Sequence, residues 1–299
     1  MAGNKISTNK LYEFSNLNFK LLVIFCSLFL FSCSTTDKKP GDIDILRSQA
    51  ETTLQKAKRE AALGNFENAQ YLLEEVRRNA ILTDDLSLLV RTCMARGNVL
   101  LALGKTNDAL AEWKLAVDNA ERLNDPELLS VSKIYLSRGK LITENNNNAK
   151  TILDEVTLES KNIKKNRLYI AFSWQVIGLA NRALEKYGDA EDAFKRSLDI
   201  HVKDSYLDNA AYDWYTIASI RSLSGNTQGA INALESSIVY DRRIENSWGI
   251  AASYRAMGDV YKKMGKQNEA KEAYKRARAI YAAIRNDVEV AEMDKRIGS

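Results

Sequence analysis

Residue types that perform acid–base, nucleophilic or metal chemistry are thinly spread over this 299-residue chain. His201 is the only histidine. A multi-histidine metal centre is therefore excluded, and a serine–histidine–aspartate relay would hang on one imidazole placed just past the end of an expected helix. The paired carboxylates Glu74-Glu75 and Asp84-Asp85 fall on an expected helix surface and in a turn, where they read as ordinary solvated charge. Glycines occur singly, so no phosphate-cradling loop is formed. The expectation is a chain with no catalytic residues, no metal site and no cofactor: not an enzyme.

What positions the remaining side chains is a period. Ala69, Ala109, Ala149, Ala190, Ala230 and Ala270 are spaced by 40, 40, 41, 40 and 40 residues. Twelve residues before each comes a small residue (Ala57, Gly97, Ser137, Gly178, Ala218, Gly258) and four after each a large one (Leu73, Trp113, Leu153, Phe194, Leu234, Tyr274). A small or medium residue returns seven after the alanine, so the set lies on one face of a second helix that packs on the small residue of a first. Self-similarity at this period predicts an all-α, right-handed solenoid of six helical hairpins.

Turn residues agree with that reading. Five residues before the alanine, at each hairpin's reversal, stand Gly64, Gly104, Gly225 and Gly265, which take positive φ without steric cost. Repeats three and four have Glu144 and Glu185 there, with Asn145 to Asn148 offering a left-handed former in the third. Pro40 and Pro126 are the only prolines, and neither interrupts an expected helix. Helices of about 17 residues, about 25 Å long, follow from the spacing. Val288 to Ile297 reads as a final first helix without its partner, a polar cap.

These residues resemble the tetratricopeptide repeat (TPR). Tyr254, Met257, Gly258, Tyr261, Ala270, Tyr274 and Ala277 match the family's W, L, G, Y, A, F, A pattern at its own spacing, with Gly265 in the turn. Trp174, Ile177, Gly178, Ala190, Phe194 and Ser197 match again, as do Trp214, Ala218, Gly225 and Ala230. Repeats one and three are weaker, with Thr53 and Lys133 at the aromatic position. The likeness covers roughly residues 45 to 299, and its long repeat is similar to that of kinesin light chains and peptide-sensing scaffolds, which mostly bind peptides or helices.

The family's inner surface is lined by first-helix side chains eighteen, fifteen, eleven, eight and seven residues before the repeat alanine. Carried onto this chain, the resemblance implies a partner-binding groove containing Arg91, Met94, Asn98, Arg138, Phe172, Gln175, Arg182, Tyr212, Tyr215, Arg255 and Lys262. Aromatic rings would supply contact area while arginine and amide groups fix register. The family's carboxylate clamp is not reproduced: Asn98 has the right type, but Met94 stands where its lysine partner belongs.

The N-terminus bears on location. Lys5, Lys10 and Lys20 precede the uncharged run LLVIFCSLFLF from Leu21 to Phe31, which is too short to span a bilayer and reads as the apolar region of a secretory signal. Leu30-Phe31-Ser32-Cys33 then resembles a bacterial lipobox, with Cys33 as the acylated mature N-terminus. The expected organisation is a lipoprotein signal peptide over 1–32, a lipidated cysteine and flexible tether over 33–44, and the solenoid over 45–299. The resemblance implies a bacterial cell-envelope protein, lipid-anchored at the outer membrane and facing the periplasm, with Ser34 weakly favouring that membrane. Removing Lys5, Lys10, Lys20 and Glu13 from 43 basic and 39 acidic residues leaves a nearly neutral chain, which argues against a nucleic-acid partner. Cys93 is then the one remaining thiol, at a core position. The function expected is a noncatalytic anchored scaffold for a protein or peptide, with an accessory ligand-binding lipoprotein of a solute transporter, or a tether of cell-wall hydrolases, as alternatives.

Overall fold

The computed structural model describes residues 41–143 and 148–298. Cys33 and the expected signal segment 1–32 lie outside the described residues, as does Glu144. Two compact units divide between Ile45 and Leu46. The first is described only over residues 41–45, where Asp42 opens a helix inside the stretch expected to be tether. The second is an α-solenoid.

Thirteen helices and no strand occur among the described residues. They pair as α1 (Asp42–Ala62) with α2 (Phe66–Leu82), α3 (Leu86–Ala102) with α4 (Thr106–Leu123), and α5 (Pro126–Thr143) with α6 (Ala149–Ser160). Then come α7 (Arg167–Ala183) with α8 (Tyr187–Lys203), α9 (Leu207–Leu223) with α10 (Thr227–Arg243), and α11 (Ser247–Lys263) with α12 (Gln267–Ala283). The last helix, α13 (Asp287–Gly298), lacks a partner. Six hairpins and a cap reproduce the expected right-handed solenoid. Most helices have 17 residues, but α6 has only 12, and the six residues after it carry the buried Ile163 into the core instead.

Both kinds of turn use left-handed backbone. Within hairpins, Gly64, Gly104, Gly225 and Gly265 have φ of 84°, 74°, 88° and 74°. Glu185, at the same place in the fourth, adopts φ 57° despite its Cβ. Between hairpins, Asp84, Asn124, Ser205, Glu245 and Arg285 do likewise. Asn65, Lys105, Lys186 and Lys266, each directly after a left-handed position within a hairpin, donate their N–H back to the carbonyl five residues earlier, as Lys105 does to Leu100 at 2.8 Å, so orphan helix carbonyls are satisfied. Asp85, Asn166, Asn226, Asn246 and Asn286 then cap the next helix through their side-chain oxygens, with Asp85 accepting from Leu88 N–H at 2.8 Å.

All six repeat alanines are buried. The tightest contact, however, is between the small residue of the first helix and the large one of the second. A Cβ added to Gly178 would sit 2.5 Å from the Phe194 ring, and one on Gly97 or Gly258 would collide with Trp113 or Tyr274. Trp113 is clasped from two sides, since a Cβ on Gly139 of the next hairpin would stand 2.6 Å from the same indole. Its Nε1–H donates to the Met94 carbonyl at 3.2 Å. Cys93 is buried as expected; burial pushes its thiol up to about 12.

Candidate ligand cavity on the first-helix face

First helices of all six hairpins line one cavity of about 570 Å³. In hairpin one the wall is late in the helix, Ala57, Lys58, Ala61 and Ala62. In hairpins two and three it includes Arg91, Met94, Asn98, Tyr135 and Arg138. By hairpins four to six it has moved toward the helix starts, with Leu168, Tyr169, Phe172 and Gln175, then Asp208, Tyr212 and Tyr215, then Trp248, Ala252 and Arg255. The track therefore crosses the helices obliquely, as expected where each hairpin is rotated against the one before.

This obliquity sorts the sequence expectations. Arg91, Met94, Asn98, Arg138, Phe172, Gln175, Tyr212, Tyr215 and Arg255 all line the cavity. Arg182 and Lys262 do not: both lie in the last turns of α7 and α11, beyond the point where the track has shifted toward the helix starts. Conversely, sequence reasoning missed Lys58, Tyr135, Tyr169, Asp208, Asp241 and Trp248, all of which border the cavity. Extending the periodic stripe one turn earlier in the later hairpins would have found Tyr169, Asp208 and Trp248.

Aromatic side chains meet along the wall. Tyr135 and Phe172 stack with centroids 4.0 Å apart and planes at 22°. Across the solenoid, Phe66 of hairpin one meets Trp248 of hairpin six edge to face, at 6.3 Å and 82°. Gly64 makes that approach possible, because a Cβ there would lie 3.1 Å from the indole. Burial raises the Tyr135 and Tyr169 hydroxyl pKa values above the usual range, so both remain neutral donors.

Arginines on the wall are held from behind. Arg91 forks onto both carboxylate oxygens of Glu51, and Arg255 reaches both oxygens of Glu289 at 3.0 and 2.8 Å. Arg138 donates to Asn98 Oδ1 at 3.0 Å. On the other side, Asp241 accepts from Asn246 Nδ2 at 2.8 Å, and burial pushes its carboxyl up to about 6.

His201 lies in the last turn of α8, not past its end, and is 1% exposed. Its Nδ1 faces Asp213 Oδ2 at 2.7 Å, and the same oxygen accepts from Ser197 Oγ at 2.9 Å. Gln175 Nε2 donates to Asp213 Oδ1 at 2.7 Å. A catalytic relay would put the imidazole between serine and aspartate. Here serine and histidine both bind the carboxylate, and Ser197 is fully buried. Burial raises the Asp213 pKa, opposed by these donors. The network ties α7, α8 and α9 together, and its Gln175 and His201 are themselves part of the cavity wall.

A tetratricopeptide-repeat model matches residues 251–281, which span the sixth hairpin from within α11 to within α12. Over those residues the chain contains a tetratricopeptide repeat. No curated protein matches it. Among solved structures, aspartyl phosphate phosphatase F from Bacillus subtilis superposes with a TM-score of 0.57 at 14% identity, covering 98% of this chain and 80% of its own. The Rap conjugation gene regulator of plasmid pLS20, in complex with the Phr* peptide, gives 0.57 at 12% identity, covering 84% and 78%. TPR-like repeats from Podosopora anserina, assigned to a kinesin light chain, give 0.50 at 16%, covering 66% and 96%. At such identities these likenesses establish the TPR solenoid fold.

Proposed function

We propose that this TPR protein is a noncatalytic scaffold of the bacterial cell envelope, anchored through lipid on Cys33, that captures a peptide or peptide-like segment of a partner in the cavity. The observation that carries the reading is the convergence of first-helix side chains from six hairpins on one cavity of about 570 Å³. That volume falls within the range of about 300–1,000 Å³ typical of ligand sites, and stacked rings with braced arginines are the means by which such sites combine area with register. One neighbour of the same fold is a peptide complex. Replacing Tyr212 and Tyr215 by alanine in the full chain should leave helicity unchanged and abolish recovery of crosslinked partners from membranes; undiminished recovery would count against the cavity as the site. Palmitate labelling that persists in Cys33→Ala would remove the anchor.

A second reading, an accessory ligand-binding lipoprotein of a solute transporter, is favoured by the contact of Phe66 with Trp248, which brings the first and sixth hairpins together beside the cavity. Native mass spectrometry separates the two: a co-purifying small molecule supports the transporter reading, a co-purifying peptide the scaffold.

A further inference from the structure

Arg91 and Arg255 both border the cavity, yet they spend their donors differently. Arg91 donates from Nε to the Ser87 carbonyl at 3.3 Å and from both terminal nitrogens to Glu51, so every nitrogen of its guanidinium is engaged. Arg255 donates from Nη1 alone, to the two oxygens of Glu289 at 3.0 and 2.8 Å, and its Nε and Nη2 make no hydrogen bond among the described residues. A guanidinium presents its N–H groups in a planar fork, so one whole edge of Arg255 is unspent. Neighbouring donors are unspent too. Tyr215 borders the cavity with a hydroxyl that makes no hydrogen bond among the described residues. Tyr281 stands eleven residues after Ala270, the register that carries His201 and Asp241 to the cavity from the two preceding hairpins. Tyr281 does not itself border the cavity; it is fully buried, its hydroxyl has no partner among the described residues, and burial keeps that hydroxyl neutral by pushing it up to about 12. Arg255 and Tyr215 stand near enough to act on it electrostatically. Donors are thus in surplus at the hairpin-six end of the cavity, and the carboxylate beside them, Glu289, already accepts from Arg255.

Glu289 also sets the charge of whatever those donors can take. It offsets the Arg255 charge, so a second carboxylate brought to the open edge would meet Glu289 at short range, while an uncharged oxygen would not. We propose that the open edge of Arg255 and the Tyr215 hydroxyl hold an uncharged carbonyl oxygen of the bound ligand, an amide of backbone or side chain, with Glu289 as the positioning residue that sets this preference. This rests on the cavity being the ligand site. The competing account is structural: Arg255 and Glu289 serve only to pin α13 against the sixth hairpin.

Equilibrium dialysis of the full chain in detergent at neutral pH, quantified by mass spectrometry, distinguishes the accounts with two probes of one skeleton, hydrocinnamamide and its acid hydrocinnamate. A pool of N-acetylated, C-amidated tetrapeptides with Phe or Leu at the central positions is run beside them to test the cavity itself. The amide should be retained about tenfold or more above the carboxylate, and Tyr215→Phe should weaken retention of the amide by about threefold to tenfold, the worth of one hydrogen bond. An apolar wall alone would also favour the uncharged probe, so Glu289→Gln is the sharper test: with Arg255 no longer offset, the carboxylate should become the better retained of the two. Pinning of α13 alone would weaken both probes alike and leave their order unchanged, and that result overturns the assignment. So does undiminished amide retention in Tyr215→Phe, which removes one hydroxyl and decides the matter even if Glu289→Gln is unstable. Retention of the tetrapeptide pool but not of the amide, or of amide and carboxylate equally, overturns the subsite and leaves the cavity reading standing; retention of neither pool nor probe overturns the cavity reading itself.

Discussion

At the hairpin seams the first helices offer one small residue to one large ring, Gly97 to Trp113, Gly178 to Phe194, Gly258 to Tyr274, at the same register each time. Along the cavity the same helices offer Lys58, Arg91, Arg138, Phe172, Tyr215 and Trp248, with no repeated pattern and a register that drifts from helix end to helix start. A seam must be the same in every unit because each hairpin packs on the next by one geometry. The wall has no such constraint. Repetition therefore marks where the chain is held together, and its breakdown marks where it is free to be specific.

The contrast is broken most directly at the two tryptophans. Trp113→Ala empties the space between Gly97 and Gly139 and should cost about 3–5 kcal/mol in urea unfolding followed by circular dichroism. Trp248→Ala, at the cavity edge, should cost about 1 kcal/mol or less; equal losses would mean that Phe66 and Trp248 form a seam of their own. Gly258→Val tests the seam from its small side. Any Cβ there enters the Tyr274 ring, so a loss of about 3 kcal/mol is expected. A loss below about 0.5 kcal/mol would show that the seam relaxes.

At the wall, pH supplies the sharper test. Burial places the Asp241 carboxyl at about 6, with Asn246 and Ser237 donating to it and Asp208 repelling it, whereas in the unfolded chain it titrates near 3.9. Between those values the folded chain holds a proton that the unfolded chain lacks. Asp241's contribution to stability is therefore greatest below about pH 4 and is lost as pH rises through about 6. Asp241→Asn should accordingly raise stability at pH 7 by about 2 kcal/mol, with little difference at pH 4. Equal effects at both pH values would mean that Asp241 ionises normally and that the wall tolerates its charge.

Much of the scaffold was legible because each physical requirement leaves a periodic mark. Gly64, Gly104, Gly225 and Gly265 announce the reversals, and the small and large residues around the alanines announce the seams. The cavity was legible only in part. Arg91, Phe172 and Tyr212 follow the inner-face register, but Arg182 and Lys262 follow it too and fall outside, because the register of a single hairpin does not encode rotation between hairpins. Asp241 was hidden for another reason: it lies on a second helix and reaches the cavity only because Gly249 leaves room, a Cβ there standing 2.5 Å from its Oδ1. His201 was misplaced by a helix-end estimate a few residues too short.

The smallest effect expected is at Glu185, where a scaffold position departs from the repeat without breaking it. Its backbone takes the left-handed form that the other described hairpin turns assign to glycine, while its side chain is exposed, and Lys186 N–H still closes onto the Asn181 carbonyl at 2.9 Å. A side chain in that conformation costs about 1–2 kcal/mol. Glycine would remove the strain but also enlarge the unfolded ensemble, which returns about 0.5–1 kcal/mol of the gain. Glu185→Gly should therefore stabilise the chain by somewhat less than 1 kcal/mol, seen as a small rise in urea midpoint with an unchanged slope. A loss instead would mean that the Glu185 side chain has a role at the turn, and that this position belongs with the specific wall rather than with the repeated seam.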